Sequence, residues 1–483
     1  MDECGRGPGA FRLGVGFALL LAFAACAPRA WGGKPSERPL PANAVQPPGA
    51  SFEHDPDVER FQWMQVVREV LRASCRATAR APVRSFVLNA SRLTERLSVR
   101  AVELRPASPS RLGNLGRKGH EKGPGGELGG GAGGPLTETR LTFLPDSETA
   151  IQALLREIAS ARGRIDLMMY GWQDDPTGRE VAAALAARAR QGVRVRLLVD
   201  RTGFLIHNPE AARGHPTFLD ALKAEPNVSL IEPPGTFFRF DHRKLAVFDD
   251  RVAWTGGMIL TESARRRWRN FSVRVEGPVV ASYVHLFTER WRELGGAPAG
   301  PAPAPPPVTP NARVRLVRTD LDERSLKEAV YHAADHARRS LFLENPYFSD
   351  EILTRKLVAA KARGVDVRAV LTLRGNIHTM NKFETMTANR LLRGGVRVYL
   401  YPAMTHVKAM SVDGAWCYLG TGNFDELSLR NNREVALSIP TPAVAQALDR
   451  TLFLPDMAAS QELTQLLPPP RKRLRLLAFS LWF

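Results

Sequence analysis

Two histidine–lysine pairs recur in this sequence with the same spacing. The two copies of the motif H-x-K-x-x-x-x-D consist of His242, Lys244 and Asp249, and of His406, Lys408 and Asp413. Side chains two residues apart on a strand point to the same face, so each copy places an imidazole beside an ammonium group. An imidazole can attack phosphorus or transfer a proton, and an ammonium group can hold phosphate oxygens. The pattern therefore predicts chemistry on a phosphate ester.

The second copy also predicts how further polar groups reach its histidine. Asp413-Gly414 is typical of a hairpin turn, after which the chain would return and carry Asn423 back beside His406. Thr421 and Asn423 belong to a G-T-x-N sequence, and Glu434 closes the segment 28 residues after His406 (434 − 406). We expect an imidazole, an ammonium group and an amide to converge there.

The first copy departs from the second at two positions. Gly256 and Gly257 stand where the second copy has Gly420-Thr421, but Ile259 replaces the amide, and Asn270 stands 28 residues after His242 (270 − 242). Loss of one donor from a charge-stabilising site costs on the order of several kcal/mol of transition-state stabilisation. The first half is thus the weaker copy, which keeps open an altered substrate or a decayed site.

The flanking sequences repeat as well. GVRVRLLVD at 192–200 corresponds to GVDVRAVLT at 364–372, and RIDLMMY at 164–170 resembles SLFLENPY at 340–347. A repeat of this length indicates a duplicated half-domain, and alternating helices and short apolar strands predict a mixed sheet covered by helices on both faces. The predicted helices cover residues 147–162, 178–191, 326–338, 349–362 and 382–392, and the predicted strands cover residues 165–171, 193–199, 341–343, 365–371 and 396–401.

These residues resemble the phospholipase D superfamily, and most closely the bacterial cardiolipin synthases and related phosphatidyltransferases. The resemblance covers about residues 140 to 460. It depends on the motifs HRK at 242–244, GGM at 256–258, VEGPVV at 275–280, ENPYF at 344–348 and NFDELSLRNNRE at 423–434. It implies an α/β fold of two pseudo-symmetric phospholipase D-like halves, each a mixed β-sheet flanked by helices, which share one active site.

The expected reaction proceeds in two displacements through a phosphohistidine. Because a carboxylate stabilises imidazolium, we expect Glu434 to support His406 as the general acid and His242 to be the neutral nucleophile. The remaining predicted site residues are Lys244, Lys408, Asn423, Thr421 and Gly257 around the phosphate, with Asp249 and Asp413 anchoring the hairpin turns. No ligand spacing for a metal is visible, so we predict chemistry without a metal or cofactor.

The rest of the chain predicts contact with membranes. Residues 1–32 resemble a signal peptide or a lipoprotein anchor, residues 33–135 are of low complexity with a helix at 52–79 and a glycine-rich end, and residues 295–312 form a Pro/Ala linker. The two halves would cover residues 136–294 and 313–470, followed by a basic and aromatic tail at 471–483. The net charge of +18 favours anionic partners. We expect an exported, membrane-associated protein.

The leading hypothesis is a phosphatidyltransferase that acts on anionic phospholipids resembling phosphatidylglycerol, as the resemblance implies. A phospholipase D hydrolase or a nuclease is the second hypothesis, and a lipid-binding protein with a decayed site is the third. The duplication, the apolar leader and the aromatic tail favour lipid over nucleic acid. Because both motifs lie in one chain, a monomer is sufficient for a complete site.

Overall fold

A fifteen-stranded sheet runs through both halves of the chain. The computed structural model describes residues 128–131, 133–233, 239–297 and 307–469. The strands of this part are β1 Thr137–Leu144, β2 Arg164–Met169, β3 Arg194–Val199, β4 Val228–Ile231, β5 Leu245–Phe248, β6 Val252–Gly256, β7 Ser272–Glu276, β8 Ala312–Thr319, β9 Ser340–Glu344, β10 Asp366–Leu371, β11 Arg397–Leu400, β12 Ala409–Val412, β13 Trp416–Gly420, β14 Glu434–Ile439 and β15 Gln461–Glu462.

The strand order is the same in both halves. Counted outward from the centre of the sheet, the first half runs β1-β7-β6-β5-β2-β3-β4 and the second half runs β8-β14-β13-β12-β9-β10-β11, with β15 at the far edge. The halves join where β1 and β8 pair antiparallel, from Thr137 opposite Val314 to Thr139 opposite Ala312. This arrangement confirms the predicted α/β class and the two-half architecture.

The helices cover the sheet much as the sequence predicts. Those of the described residues are α1 Ser147–Ser160, α2 Pro176–Arg190, α3 Arg201–His207, α4 Pro209–Ala212, α5 Phe218–Lys223, α6 Glu262–Arg266, α7 Val280–Glu293, α8 Ser325–His336, α9 Glu351–Ala362, α10 His378–Arg393, α11 Pro442–Leu448 and α12 Leu454–Ala458, with π-helical turns at Leu427–Asn431 and Asp449–Phe453. Helix α1 shows the local reasons: Asp146 accepts from Thr149 N at 2.7 Å as its N-cap, and Ile151, Leu154 and Ile158 recur at helical spacing on its buried face.

Three apolar cores follow from the alternation of side chains along the strands. Leu167 of β2 lies in a core under the helices of the first half, and Leu343 of β9 lies in the equivalent core of the second half. Met168, the next residue after Leu167, faces the opposite side of the sheet. That side carries one continuous core with residues from both halves, including Phe287 of α7 and Leu448 of α11. The two halves therefore share a hydrophobic core as well as a sheet.

Two described segments lie at the borders of the predicted regions. The end of the glycine-rich stretch packs against the second half: Gly133, with a φ of +100°, lies so close to β8 that a Cβ atom would come within 2.5 Å of the Leu316 carbonyl oxygen. Only glycine tolerates both the conformation and the close approach. At the other border, β8 begins at Ala312, the last residue of the predicted linker. The predicted leader at 1–32, the helix at 52–79 and the tail at 471–483 lie outside the described residues.

Candidate active site

Each histidine is held by a short backbone bridge to the other half. In one bridge, His242 N donates to Arg433 O at 3.0 Å and Arg433 N donates to Phe240 O at 2.8 Å. In the other, His406 N donates to Arg269 O at 2.7 Å and Arg269 N donates to Met404 O at 2.8 Å. The residue that follows each bridging arginine is Glu434 in the first case and Asn270 in the second. The bridges therefore bring Glu434 to His242 and the Asn270 segment to His406.

Glu434 pairs with His242, and the prediction that it supports His406 is wrong. Oε1 of Glu434 lies 2.7 Å from Nδ1 of His242, and both side chains are buried. Nδ1 of His406 has no hydrogen-bond partner within the described part of the chain. The spacing of 28 residues predicts a partner within the same half, whereas the bridges pair each histidine with the segment of the opposite half.

The Asn270 side chain makes hydrogen bonds that hold neighbouring elements together. Its Nδ2 donates to Ser147 Oγ at 3.1 Å and to Ala264 O at 3.0 Å, which ties the segment before β7 to the start of α1 and to α6. The Oδ1 atom of Asn270 is buried without a hydrogen-bond partner among the described residues. The two histidines therefore have different surroundings: His242 contacts a carboxylate, and His406 does not.

The two lysines occupy equivalent, fully buried places. Lys244 Nζ donates to His242 O at 2.6 Å, and Lys408 Nζ donates to His406 O at 2.8 Å. Each ammonium group is thus fixed by the backbone of its own motif. Gly257 lies against the second motif, where a Cβ atom would come within 2.3 Å of the His406 carbonyl oxygen. Gly257 therefore allows the two motifs to approach each other, a role for which any side chain is too large.

Thr421 and Asn423 have different surroundings. Thr421 Oγ1 donates to Glu434 Oε2 at 2.6 Å and accepts from Val435 N at 3.0 Å, so its hydroxyl group holds Glu434 in place rather than pointing to a substrate. Asn423 is buried, and its Oδ1 has no hydrogen-bond partner among the residues that the structure describes. Because Oδ1 only accepts, a contact of Asn423 with a phosphate oxygen must come from its NH₂ group, which also contacts Asp425.

The aspartates of the two motifs lie away from the histidines. Both Asp249 and Asp413 have positive φ in the turns that follow β5 and β12. The Asp249 carboxylate accepts from the backbone N–H groups of residues 162–164 at 2.7 to 2.8 Å, and Asp413 accepts from those of residues 338–340 at 2.7 to 3.2 Å. Extended chain advances by about 3.3 Å per residue, so each aspartate lies at the opposite end of its strand from the histidine. The aspartates stabilise the turns and the loops before β2 and β9.

Aromatic side chains border both histidines. The Tyr170 ring centroid lies 4.6 Å from that of His242, and Lys244 Nζ lies 5.1 Å from the same tyrosine ring. On the other side, Trp268 lies 5.2 Å and Tyr347 lies 6.3 Å from His406 between ring centroids. These three residues were not among the predicted site residues. The two tyrosines could have been found from the sequence, because Tyr170 and Tyr347 end the two repeated strand segments, whereas Trp268 lies in neither segment.

Burial changes the pKa values of the histidines, lysines and glutamate of the site. Burial, followed by the positive charges of Lys244 and Lys408, lowers the pKa of both histidines well below 6.5. Burial also lowers the pKa of Lys244 to about 7 and that of Lys408 well below its usual value, although Glu434 opposes both changes. Burial raises the pKa of Glu434 to about 7, against the effect of Lys244. An entering phosphate anion would favour the protonated lysines and a protonated histidine.

The described residues show neither a metal-binding cluster nor a membrane-spanning helix. In residues 128–131, 133–233, 239–297 and 307–469, no group of three or more His, Cys, Asp or Glu side chains is arranged to hold a metal ion. None of the helices in this part of the chain combines the length and apolar character needed to cross a membrane.

Known proteins resemble this chain over most of its described length. The family described as cardiolipin synthase, PLD-like domain, matches residues 154–291 and 330–453. Cardiolipin synthase A from Klebsiella pneumoniae subsp. pneumoniae is 30% identical over 356 residues, which cover 68% of this chain and 70% of the relative. Cardiolipin synthase A from Salmonella paratyphi B is 30% identical over 346 residues, which cover 67% and 68%. The crystal structure of a Haemophilus influenzae phosphatidylserine synthase shares the fold, with a TM-score of 0.52 and 15% identity over 73% of this chain and 94% of that one.

Proposed function

Because this chain belongs to the family of cardiolipin synthases with a phospholipase D-like domain, and is an enzyme of that superfamily, we propose that it transfers a phosphatidyl group between two molecules of phosphatidylglycerol. The observation that carries this proposal is the convergence of both histidine–lysine pairs, with Glu434 of one half on His242 of the other at 2.7 Å. A phosphodiester needs a nucleophile, a proton for the leaving alkoxide and fixed positive charge, and these residues supply all three.

In the first displacement His242 is the nucleophile. With Glu434 ionised, Nδ1–H of His242 donates to Oε1, and the lone pair of Nε2 is free to attack phosphorus. The P–N bond forms while the bond from phosphorus to the glycerol oxygen breaks, and His406 donates its proton to that oxygen. Free glycerol leaves, and the phosphatidyl group remains on His242. Glu434 then stabilises the positive charge on the phosphohistidine ring.

In the second displacement His406 acts as a base. It accepts the proton from a primary hydroxyl group of the second phosphatidylglycerol, whose oxygen attacks the phosphorus of the phosphohistidine. The P–N bond breaks, and the products are cardiolipin and neutral His242. Lys244 and Lys408 hold the non-bridging oxygens in both steps, with Asn423 as the amide donor. The reaction exchanges one phosphodiester for another and needs no further reactant.

The surroundings of His406 favour a lipid substrate. Tyr347, Met380, Phe383 and Met404 form a small apolar cluster against which Trp268 packs, and two members of this group lie next to the His406 ring. Such a wall suits the glycerol backbone and acyl chains of a phospholipid better than the charged backbone of a nucleic acid. We therefore propose a phospholipid, rather than DNA, as the donor.

The first experiment is an incubation of the purified chain with phosphatidylglycerol vesicles in buffer that contains a metal chelator, with products identified by mass spectrometry. His242→Ala and His406→Ala are compared with His215→Ala, which removes an exposed histidine paired with Glu210. We expect cardiolipin and glycerol from the unmodified chain and from His215→Ala, and none from the other two variants.

Each other outcome changes the proposal in a defined way. Phosphatidic acid as the product would assign water as the acceptor and make the enzyme a phospholipase D hydrolase. Full activity in His406→Ala would refute the mechanism with two histidines. Activity that appears only when the chelator is left out would refute chemistry without a metal. No conversion of any phospholipid by the unmodified chain would refute the transferase.

We also propose that the enzyme acts at a membrane surface after export. The predicted leader at 1–32 and the basic and aromatic tail at 471–483 support this location, together with the net charge of +18. Membrane fractionation of cells that express the full chain tests it. Recovery of the protein only in the soluble fraction would contradict the proposal.

A further inference from the structure

A third histidine lies beside the two lysine–histidine pairs, at the end of α3. A Cβ atom placed on Gly171 would lie 2.9 Å from His207 Nε2 and 3.1 Å from Ile259 Cγ2. His207 therefore packs on the backbone of Gly171, which directly follows Tyr170, the residue that contacts both His242 and Lys244. The imidazole reaches this place only because residue 171 has no side chain.

The same place is filled differently in the second half. Ile165 of β2 pairs with Phe248 as Leu341 of β9 pairs with Val412, and this register sets Gly171 at the position of Tyr347. Tyr347 presents its ring to His406 at 6.3 Å between centroids. The first half has a glycine there, and the imidazole of His207 comes in from α3 instead.

Ile259 is an apolar residue at a position where the second half carries a polar side chain. It stands at the position of Asn423, so the first half lacks the amide that the second half carries there. Ile259 is buried and lies against the same Gly171 backbone as His207. The apolar side chain and the additional imidazole are thus neighbours at the spot where a polar donor is missing.

The position of His207 is fixed at both ends of α3. Asp200 accepts from Gly203 N at 2.8 Å and from Asp241 N at 2.8 Å, which ties the start of the helix to the residue before His242. Asn208 donates to Phe204 O at 2.8 Å and to Trp172 O at 2.7 Å, which fixes the end. The helix that carries His207 is therefore held to the segment that carries His242.

The pKa shifts agree with a location of His207 beside the two histidine–lysine pairs. Burial and then the charge of Lys244 lower the pKa of His207 to about 4, and the imidazole of His207 also contributes to the lowered pKa of His406. A neutral imidazole at physiological pH still has one N–H donor. The His207 ring makes no hydrogen bond within the part of the chain that the structure describes.

We propose that His207 donates a hydrogen bond to a non-bridging phosphate oxygen of the substrate and replaces the amide donor that the first half lacks at Ile259. This inference rests on the proposed function insofar as the substrate is a phosphate diester. It assigns His207 a direct contact with the substrate phosphate beside Lys244. It also explains how a site with an apolar residue at 259 retains a full set of donors.

The test measures the binding of inorganic phosphate to the full chain by calorimetry. We expect His207→Ala to weaken binding about 10- to 100-fold, as expected for loss of a hydrogen bond to a charged group. His215→Ala is the matched control and should bind like the unmodified chain. Ile259→Asn in the His207→Ala background should restore most of the loss, which a merely structural role of His207 would not allow.

Histidine modification by diethyl pyrocarbonate provides a measurement on the unmodified chain, in case His207→Ala does not fold. Phosphate should slow modification of His207 but not of His215. Equal phosphate affinity of His207→Ala and the unmodified chain, no protection of His207, or no phosphate binding at all would each overturn the assignment. Failure of Ile259→Asn to restore binding would overturn the replacement of the amide. Loss of lipid transfer with intact phosphate binding would refute the transferase and leave this assignment standing.

Discussion

Replacement of Glu434 by glutamine should disable His242 rather than His406. Thr421 Oγ1 accepts from Val435 N and donates to Glu434 Oε2, so it would keep the carbonyl oxygen of a glutamine on its own side. The amide NH₂ group would then face Nδ1 of His242. That nitrogen would have to accept, which places the proton on Nε2 and removes the lone pair that attacks phosphorus.

The expected fall in kcat follows from the hydrogen bond between Glu434 and His242. The bond between Glu434 Oε1 and His242 Nδ1 is 2.7 Å long and buried, and a hydrogen bond to a charged group contributes about 1.5 to 3 kcal/mol, or roughly a 10- to 150-fold change in rate. Loss of the correct tautomer adds to this, since the equivalent Asp-to-Asn change in a serine protease triad lowers kcat about 10⁴-fold. We expect kcat of Glu434→Gln to fall about 10²- to 10⁴-fold.

The assay uses two substrates in a rapid-quench experiment. With phosphatidylglycerol, Glu434→Gln and His406→Ala should both form little phosphatidyl-enzyme. A phosphatidyl ester of 4-nitrophenol has a leaving group that departs without a proton, so it should restore the first step in His406→Ala but not in Glu434→Gln. Asn270→Ala, at the pseudo-symmetric position, is the control and should show a smaller kinetic loss. Restoration of Glu434→Gln by the activated ester, with no restoration of His406→Ala, would reverse the two roles and refute the reasoning.

Glu434 must be ionised to accept from His242 and its pKa is about 7, so kcat/KM should fall as the pH drops below about 7, and a pH–rate profile of Glu434→Gln should lack this limb. Lys408→Gln should lower kcat about 10²- to 10³-fold without changing the melting temperature much, because the lysine stabilises transition-state charge; an unchanged kcat would contradict this. Burial acts to raise the pKa of Asp249, but three backbone N–H donors together lower it, so its stabilisation is present above about pH 4 and lost as the pH falls through the lower folded pKa. Urea unfolding at pH 7 should show Asp249→Asn about 1 to 2 kcal/mol less stable, with a smaller difference in acid.

The elements of each half could be predicted because their signals are local. Helix α1 was expected at 147–162 and runs from Ser147 to Ser160, and the strand expected at 365–371 runs from Asp366 to Leu371. Caps, helical spacing and short β-branched runs depend on residues close together in the chain, so they can be recognised from the sequence alone. The turn aspartates belong to the same class, since Asp413 and Asp249 stabilise loops of their own half.

The partner of each histidine could not be predicted, because it depends on contacts across the two halves. The sequence determined that the chain is duplicated, that each copy carries one histidine and one lysine, and that Glu434 has no carboxylate counterpart at Asn270. Only the tertiary structure decided that Glu434 serves His242 and that His207 joins the site. The reason is physical: the backbone bridges at Arg433 and Arg269 pair segments from opposite halves, and no local pattern of side chains records which half supplies the partner.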